Sequence, residues 1–171
     1  MVVLSASRVL DCVDDLINEG KQISVNGIDI TVHKVFKYTS RLVIDFDNSR
    51  RENPELEEIP FTHEDTSNAM NSYWDLEKRT YMVSYGQKIS IPMDAVGLIL
   101  PRSTLMAGGT LLASALWDSG YSGYGRGQFM VNNPHGIRLY NGARIGQIIL
   151  IKTEHTQETG YNGTYQNEQK R

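Results

Sequence analysis

Cysteine is nearly absent from this chain of 171 residues, in which Cys12 stands alone. A single cysteine cannot form a disulfide within the chain, and it removes the clustered thiolates that most structural zinc sites need. The 4 histidines are scattered, without the H-x-x-x-H spacing of two zinc ligands on one helix face. A P-loop and a G-x-S-x-G elbow are also missing. These absences argue against zinc enzymes, P-loop hydrolases and serine hydrolases of the α/β type.

Long hydrophobic runs and blocks of basic charge are missing as well. No apolar run approaches the length of a membrane span, and the N-terminus lacks the regions of a signal peptide, so we expect a cytoplasmic protein without membrane contact. The formal net charge is −3 and no basic cluster stands out, which argues against a large nucleic-acid surface. A small anionic ligand stays compatible with this charge, because it needs only a few local donors.

A helical pattern precedes Gly20. In "LSASRVLDCVDDLINEG" the apolar residues recur with the spacing of one helix face. Ser5 or Ser7 can cap the start of this helix, and Gly20 stands where a C-terminal cap belongs. The sequence therefore predicts one N-terminal helix, to which we assign no catalytic role.

From residue 21 onward the pattern is typical of β-strands. "KQISVNGIDITVHKVFKY" alternates and is rich in β-branched residues, which predicts strands on either side of Asn26-Gly27, and "RLVIDFD" predicts another strand. Short strand patterns return from Tyr81 in "YMVSY", "KISIP", "VGLILP", "GGTLLASALW", "GQFMVNN", "GIRLY" and "IGQIILIK". Turn residues separate nearly all of them. We therefore predict an all-β fold, a sandwich, barrel or jelly roll, in a single domain over residues 1–171.

Two segments depart from the strand pattern. Residues 48–68 are charged, contain two prolines and show no sustained periodicity, which predicts a long surface loop or insertion. Residues 153–171 are polar and carry glycines, which predicts a mobile C-terminal arm.

Polar residues beside glycines recur in a spaced set of short segments. They are Asp29 in "NGIDIT", Arg102-Ser103-Thr104 in "LPRSTLMAGG", Asp118 with Tyr121 in "WDSGYSG", Arg144 to Gln147 in "NGARIGQIIL", and the tail "GYNGTYQ". Each has an ordinary structural explanation. Asp118 before Ser-Gly favours a tight turn, Ser103 and Thr104 can cap a helix, and Asp29 or Arg144 can lie on a sheet surface. Taken one at a time, these structural explanations are the better ones.

Taken together and in order, the segments resemble the motifs of the dUTPase and dCTP deaminase superfamily. "NGIDIT", "PRSTL", "WDSGYSG" and "GARIGQIIL" resemble its first to fourth motifs, and "GYNGTYQ" resembles the C-terminal arm of the deaminase branch. The resemblance implies a distorted β-barrel or jelly roll of the dUTPase type with an N-terminal helix. It also implies a homotrimer with its sites at subunit interfaces, and a nucleotide substrate that binds with Mg²⁺.

The resemblance assigns roles to individual residues. Asp118 would be the base that activates a water for attack on the α-phosphate, and Asp29 would hold Mg²⁺ through a water. The expected phosphate-binding residues are Arg102, Ser103, Thr104, Gln147 and Gln166. The expected nucleoside-binding residues are Tyr121, Gln128, Ser114, Trp117 and Tyr161, with Tyr121 beneath the deoxyribose and the hairpin backbone of 112–116 facing the base. These residue types suit the chemistry, because arginine forks and hydroxyls donate to phosphates and Mg²⁺ needs few protein ligands.

Two positions bear on the choice between the branches of this superfamily. Deaminases typically carry a second arginine five residues after the one that matches Arg102, and this chain has Ala107 there. They also carry a proton-transferring glutamate ten residues after the aspartate that matches Asp118, and this chain has Gln128 there. A glutamine cannot act as a general acid or base at neutral pH. We therefore expect a dUTP diphosphatase. The alternatives are a dCTP deaminase or bifunctional enzyme with an unusual proton carrier, and a non-catalytic nucleotide-binding or structural trimer.

Overall fold

The computed structural model describes residues 2–64 and 71–170. Its helices and strands follow one another along the chain in this order: β1 Val2–Val3, α1 Ala6–Leu10, β2 Val13–Asp14, α2 Glu19–Gln22, β3 Ile28–Tyr38, β4 Leu56–Glu58, β5 Thr62–His63, β6 Ser72–Leu76, β7 Thr80–Tyr85, β8 Lys88–Ser90, β9 Ala95–Pro101, α3 Ser103–Ala107, β10 Thr110–Ala113, β11 Ser122–Gly123, β12 Arg126–Val131, β13 Ile137–Tyr140 and β14 Arg144–Lys152.

Antiparallel sheets make up most of the molecule. An eight-stranded sheet has the order β1-β14-β3-β7-β12-β10, with β4 added to β3 and β9 added to β14. Two three-stranded sheets, β11-β8-β2 and β13-β6-β5, complete the curled, barrel-like fold. The predicted all-β class is confirmed. No helix within the described ranges is long and apolar enough to cross a membrane.

The core forms where the long strands meet. The strands β3 and β14 are rich in branched apolar residues. Five of these residues are fully buried: Ile28, Ile30, Ile145, Ile148 and Leu150. β14 pairs with β3 on one side and with β9 on the other, so it is covered by neighbours along most of its length. Burial of so many branched side chains between paired strands is the main force that holds this sheet together.

The prediction of one continuous N-terminal helix is wrong. The helix α1 ends at Leu10, and β2 then pairs with β8, where Val13 lies opposite Ile89. Asp15 takes a left-handed backbone conformation, with φ of 62°, which no α-helix can contain. The apolar spacing did not reveal this strand, because a helix and a strand can both bury Val13. Here the backbone hydrogen bonds are made to β8 and not within a helix.

Gly20 is likewise not a helix cap. It lies inside the short helix α2, which begins after Asn18, whose side chain accepts a hydrogen bond from the Lys21 amide. The strand predicted on the near side of Asn26-Gly27 is reduced to a single bridge between Ile23 and Ile28. The strand on the far side is the long β3, as predicted.

The strand predicted for "RLVIDFD" is also wrong. Only Val43 makes a bridge, to Glu52, while Leu42, Ile44 and Phe46 are exposed. The alternating pattern in this stretch has no sheet to join, because the end of β3 is already paired with β4.

The segment 48–68 is more ordered than the predicted surface loop. It contributes β4 to the large sheet and β5 to a small one, although both strands are short. Residues 65–68 of this segment lie outside the described residues. The strand β6, which sequence periodicity did not predict, pairs with both β5 and β13 and buries Trp74.

Candidate functional site

A cavity of about 440 Å³ opens between the β10 and β12 strands and the C-terminal residues. Its wall combines the hairpin after β10 with parts of β12, the segment before β4 and the tail. The lining residues are Asn53, Pro54, Leu56, Met82, Ala113, Ser114, Ala115, Leu116, Trp117, Asp118, Tyr121, Gly125, Arg126, Gly127, Gln128, Tyr161, Tyr165 and Glu168. A cavity of this size, with aromatic walls and a few polar groups, is suited to a small organic ligand.

Aromatic rings form one wall of the cavity. The ring of Tyr121 stands edge-on to Trp117, with 4.9 Å between centroids, and meets Tyr161 at 5.7 Å. The indole Nε1 of Trp117 donates a hydrogen bond of 2.9 Å to Ser114 Oγ, which fixes the ring. Burial raises the pKa of the Tyr121 hydroxyl far above its usual value, and the Glu168 carboxylate adds to this effect. Tyr121 is therefore a neutral, rigid surface at ordinary pH.

A glycine makes room for the indole. A Cβ at Gly125 would lie 2.2 Å from an atom of the Trp117 ring, so only glycine lets the backbone approach this closely. Trp117 is consequently pressed between β12 and the hairpin and cannot turn out of the cavity wall. This arrangement joins three of the predicted nucleoside-binding residues, Trp117, Tyr121 and Ser114, into one packed group.

Asp118 is exposed at the rim of the cavity, between two anchored neighbours. Trp117 exchanges two backbone hydrogen bonds with Gly97 of β9, at 2.8 and 3.0 Å. Ser119 Oγ donates a 2.7 Å bond to the carbonyl of Ala95 on the same strand. The Asp118 carboxylate is therefore presented to solvent from a fixed backbone, as a group that acts on a ligand must be.

A second, smaller cavity lies on the other side of Asp118. Its volume is about 310 Å³, and its wall includes the polar residues Ser119, Thr153, Gln157 and Thr159. Asp118 and Tyr161 border both cavities. The carboxylate therefore stands at the junction of an aromatic cavity and a polar one.

Gln128 lies on β12, directly opposite Ala113 on one side and Met82 on the other. Its side chain is exposed and faces the large cavity, near the Tyr38 hydroxyl at the end of β3. Burial raises the pKa of the Tyr38 hydroxyl above its usual value.

A second group of predicted residues surrounds Asp29, which is buried at the junction of β3 and β14. Its Oδ2 lies 3.2 Å from Arg102 Nε and 3.1 Å from Arg144 Nη1, and its Oδ1 accepts a 3.3 Å bond from Gln147 Nε2. The paired register of β14 and β3 sets Gln147 opposite Asp29. Arg102 Nη1 also donates a long hydrogen bond of 3.5 Å to the carbonyl of Arg144.

The two groups of residues occupy different places in one chain. None of the residues around Asp29 lines either described cavity. Trp117 pairs with Gly97 of β9, and Arg102 follows Gly97 by five positions, just past the end of that strand. At about 3.3 Å per residue, the backbones of Gly97 and Arg102 are roughly 17 Å apart. Ser103 and Thr104 are exposed in the first turn of α3, beside Arg102.

The C-terminal residues fold back onto the segment that follows Asp118. The amide of Tyr161 donates to Ser119 O at 2.8 Å, that of Asn167 donates to Ser122 O at 2.8 Å, and Tyr124 donates to Glu168 O at 2.8 Å. Two of these bonds lie at or next to β11. The predicted arm therefore forms part of the cavity wall.

Gln166 has a different setting from the one expected. Its Oε1 accepts from the Ser122 amide at 3.0 Å, and its Nε2 donates to the carbonyl of Gly120 at 2.9 Å. Both ends of the amide are thus engaged with the turn after Asp118. Because Nε2 carries a second hydrogen, a phosphate can accept a bond from Gln166 without breaking either of these bonds.

Several cavity residues were not predicted from the sequence. Arg126 could have been found, because it lies two positions before Gln128 and strand alternation places both on one face. Tyr165 and Glu168 of the arm gave no local signal, and the same holds for the lining residues before β4. Only the fold brings these distant segments to the cavity.

Comparison with known proteins places these features in context. The chain matches the family model for dCTP deaminase-like proteins over residues 3–153. It is 36% identical over 148 residues to a Methanosarcina barkeri protein named probable deoxyuridine 5'-triphosphate nucleotidohydrolase, a match that covers 86% of this chain and 82% of the relative. An Archaeoglobus fulgidus protein of the same name is 33% identical over 174 aligned positions, which cover 98% of each chain.

A solved structure supports the fold. The 2'-deoxycytidine 5'-triphosphate deaminase of Agrobacterium tumefaciens superposes with a TM-score of 0.58 at 13% identity, over 88% of this chain and 48% of that one. At this level of identity the likeness concerns the arrangement of strands.

Proposed function

The chain belongs to the dCTP deaminase-like family, and within it we propose a dUTP diphosphatase that converts dUTP and water into dUMP and pyrophosphate. The observation that carries the proposal is the position of Asp118, a fixed and exposed carboxylate beside an aromatic cavity of nucleoside size. The names of the archaeal relatives point to the same reaction.

In this proposal the aromatic cavity binds the uncharged end of the nucleotide. Tyr121 lies flat beneath the deoxyribose, where a 2′-hydroxyl has no space, and Trp117 and Tyr161 complete the wall around it. Ser114 acts by fixing the Trp117 ring. The hairpin residues and Gln128 present amide groups, which both donate and accept, to the edge of the base.

Hydrolysis requires a water held in line with the α-phosphate. Asp118 accepts a hydrogen bond from that water and takes up its proton as the oxygen attacks phosphorus. The bond from the α-phosphorus to the bridging oxygen breaks, and pyrophosphate leaves with the electron pair. The exposed position of Asp118 between the two cavities gives the water access from the polar side.

The phosphates need donors that the cavity of a single chain does not offer at the required distance. We propose that Arg102, Ser103, Thr104 and Gln147 come from a neighbouring copy in a homotrimer, so that each site is shared. The separation of roughly 17 Å along β9 supports this, because a base and a phosphate ligand must act within a few ångströms of the same phosphate group. We place the reaction in the cytoplasm.

Magnesium is part of the proposal, and the donor set around Asp29 fits it. Among the described residues, no group of three or more acidic, histidine or cysteine side chains could enclose a metal ion. A phosphate-bound Mg²⁺ keeps most of its waters and needs only one carboxylate contact. Asp29 Oδ1 accepts a single long hydrogen bond, so it can also accept one from a metal-bound water. The ion would neutralise phosphate charge.

A direct assay separates this function from deamination. The purified chain with Mg²⁺ is incubated with dUTP and with dCTP, and pyrophosphate and ammonia are measured separately. We expect pyrophosphate from dUTP and no ammonia from dCTP, because Gln128 cannot carry the protons that deamination moves. Ammonia from dCTP would overturn the hydrolase assignment, and release of neither product would support a non-catalytic trimer.

Gln128 itself offers a second test of the branch. The change Gln128→Glu should lower dUTP hydrolysis, since it replaces an amide that both donates and accepts with a carboxylate that can only accept. It should produce little or no ammonia from dCTP, because the arginine of the deaminases is still missing at Ala107. The double variant Gln128→Glu/Ala107→Arg is the sharper test, and Gln128→Leu serves as the matched uncharged control.

A further inference from the structure

An ion pair joins the arm to the wall of the large cavity. Arg126 Nη2 lies 2.6 Å from Glu168 Oε1, and the two side chains are only 19% and 9% exposed. Arg126 belongs to β12 and faces the cavity on the same side as Gln128. Glu168 belongs to the arm, more than forty positions later in the sequence. A charged pair this well shielded from water differs from the exposed pairs elsewhere on the sheet.

An aromatic ring of the arm is held beside the same pair. The Tyr165 ring centroid lies 5.5 Å from Arg51 Cζ and 5.8 Å from Arg126 Cζ, so the ring is flanked by two guanidinium groups. Arg51 Nη2 also donates a 2.6 Å hydrogen bond to the Tyr165 hydroxyl. Arg51 comes from the segment between β3 and β4. The arm is thus fastened to two separate parts of the chain.

We propose that Arg126 is a positioning residue, whose ion pair with Glu168 seats the arm over the cavity of its own subunit and completes the binding site. This inference rests on the proposed function for its effect on catalysis. Arg126 acts through the arm, because its charge is already matched by Glu168 and is not offered to a phosphate. The matched pair leaves this wall of the cavity electrically balanced, which suits a nucleoside and directs the anionic phosphates elsewhere.

The ion pair can control the position of the arm because the other contacts of the arm are individually weak. Most arm side chains are exposed, and a segment held by a few backbone bonds at the surface opens at low cost in free energy. Removing the Glu168 charge takes the ion-pair partner from the shielded Arg126 guanidinium, which favours release of the arm. One charge on Arg126 or Glu168 can therefore decide between the docked and the released arm.

Docking of the arm affects nucleotide binding through the populations of the docked and released forms. If nucleotide binds to the docked form, the apparent affinity falls in proportion to the fraction of molecules in that form. At saturating substrate the docked form is restored, so kcat changes little while KM rises. A residue that contacted the reacting phosphates would lower kcat instead.

Hydrogen exchange and kinetics together test this proposal. In Glu168→Gln, exchange of the amides of Tyr124 and Asn167, measured without nucleotide, should rise about 10-fold, and KM for dUTP should rise about as much with kcat within about 2-fold. The exchanged pair Arg126→Glu/Glu168→Arg should return both values toward wild type. Glu158→Gln, the same change at an exposed position of the arm, is the matched control and should alter neither value.

The outcomes are distinguishable from failure of the proposed function. Hydrogen exchange is measured on the free protein. A chain that does not hydrolyse dUTP would therefore refute the proposed diphosphatase function, while the exchange data would still test whether the Arg126–Glu168 ion pair seats the arm. Unchanged exchange in Glu168→Gln would overturn the proposal, as would raised exchange with an unchanged KM. Glu168 belongs to none of the described helices or strands, so we expect the sheets to fold in that variant. Should the exchanged pair fail to fold, Arg126→Gln must reproduce the Glu168→Gln result or the proposal is wrong.

Discussion

Replacing Asp118 with asparagine should lower kcat for dUTP hydrolysis by roughly 10²–10⁴, the usual contribution of a positioned general base. The two side chains have nearly the same shape, but the amide cannot take a proton from the attacking water. Because Asp118 is exposed and its neighbours are fixed through β9, the change should leave the cavity and the melting temperature intact. Steady-state release of pyrophosphate, with nucleotide binding measured separately by calorimetry, gives both quantities.

The matched control for this experiment is Asp11→Asn, the same change at an exposed position at the end of α1. It should have wild-type activity. If Asp118→Asn turned over at a near-normal rate, another carboxylate would be the base. If it lost binding together with turnover, Asp118 would be a ligand for the nucleotide and not the group that activates water.

Mixing two inactive variants should restore activity if the sites are shared between subunits. Asp118→Asn lacks the base, and Arg102→Ala lacks a phosphate ligand that lies on a different part of the chain. In a co-expressed trimer of both chains, an intact site forms wherever an unaltered Asp118 meets an unaltered Arg102 of the neighbour, and random assembly gives about a quarter of the sites. The mixture should therefore reach about a quarter of wild-type activity, far above either variant alone.

The control for mixing is the double variant Asp118→Asn/Arg102→Ala co-expressed with each single variant, where random assembly leaves no intact site. Light scattering should report a mass about three times 19.3 kDa for every sample. Failure of the mixture to regain activity, with mixed trimers demonstrated by affinity tags, would show that each subunit has its own complete site. A monomer that is active at high dilution would contradict shared sites as well.

The β-class of the fold could be predicted because strand alternation is a local signal. Each predicted strand from Tyr81 onward exists, with turn residues at its ends. The errors arose where a local pattern of apolar residues was compatible with two different structures. The apolar spacing around Val13 fits a helix face, yet pairing with β8 buries the same residue, and the alternation around Ile44 has no neighbouring strand to pair with.

The candidate site divides in the same way. The resemblance assigned Asp118, Tyr121 and Gln128 to the site, and all three line the large cavity, although their roles stay predictions. Arg126, Tyr165 and Glu168 could not be found as a group, since the contact between β12 and the arm spans about forty residues and depends on where the arm docks. The assignment of Gln166 to phosphate binding stays a prediction, and its two hydrogen bonds hold the amide against the turn after Asp118.

The sequence by itself determined the kinds of chemistry that this protein can offer: a carboxylate in a tight turn, an arginine beside hydroxyls, a glutamine where proton transfer would need a glutamate, and no zinc-site spacing of histidines and cysteines. Tertiary structure alone decided which of these groups meet. It joined Asp29 to Arg102 and Arg144, set Asp118 at a separate cavity, and laid the arm across that cavity. The physical reason is that residue types and short periods are properties of neighbours in the chain, whereas strand order and arm docking follow from the burial and pairing of segments far apart in sequence.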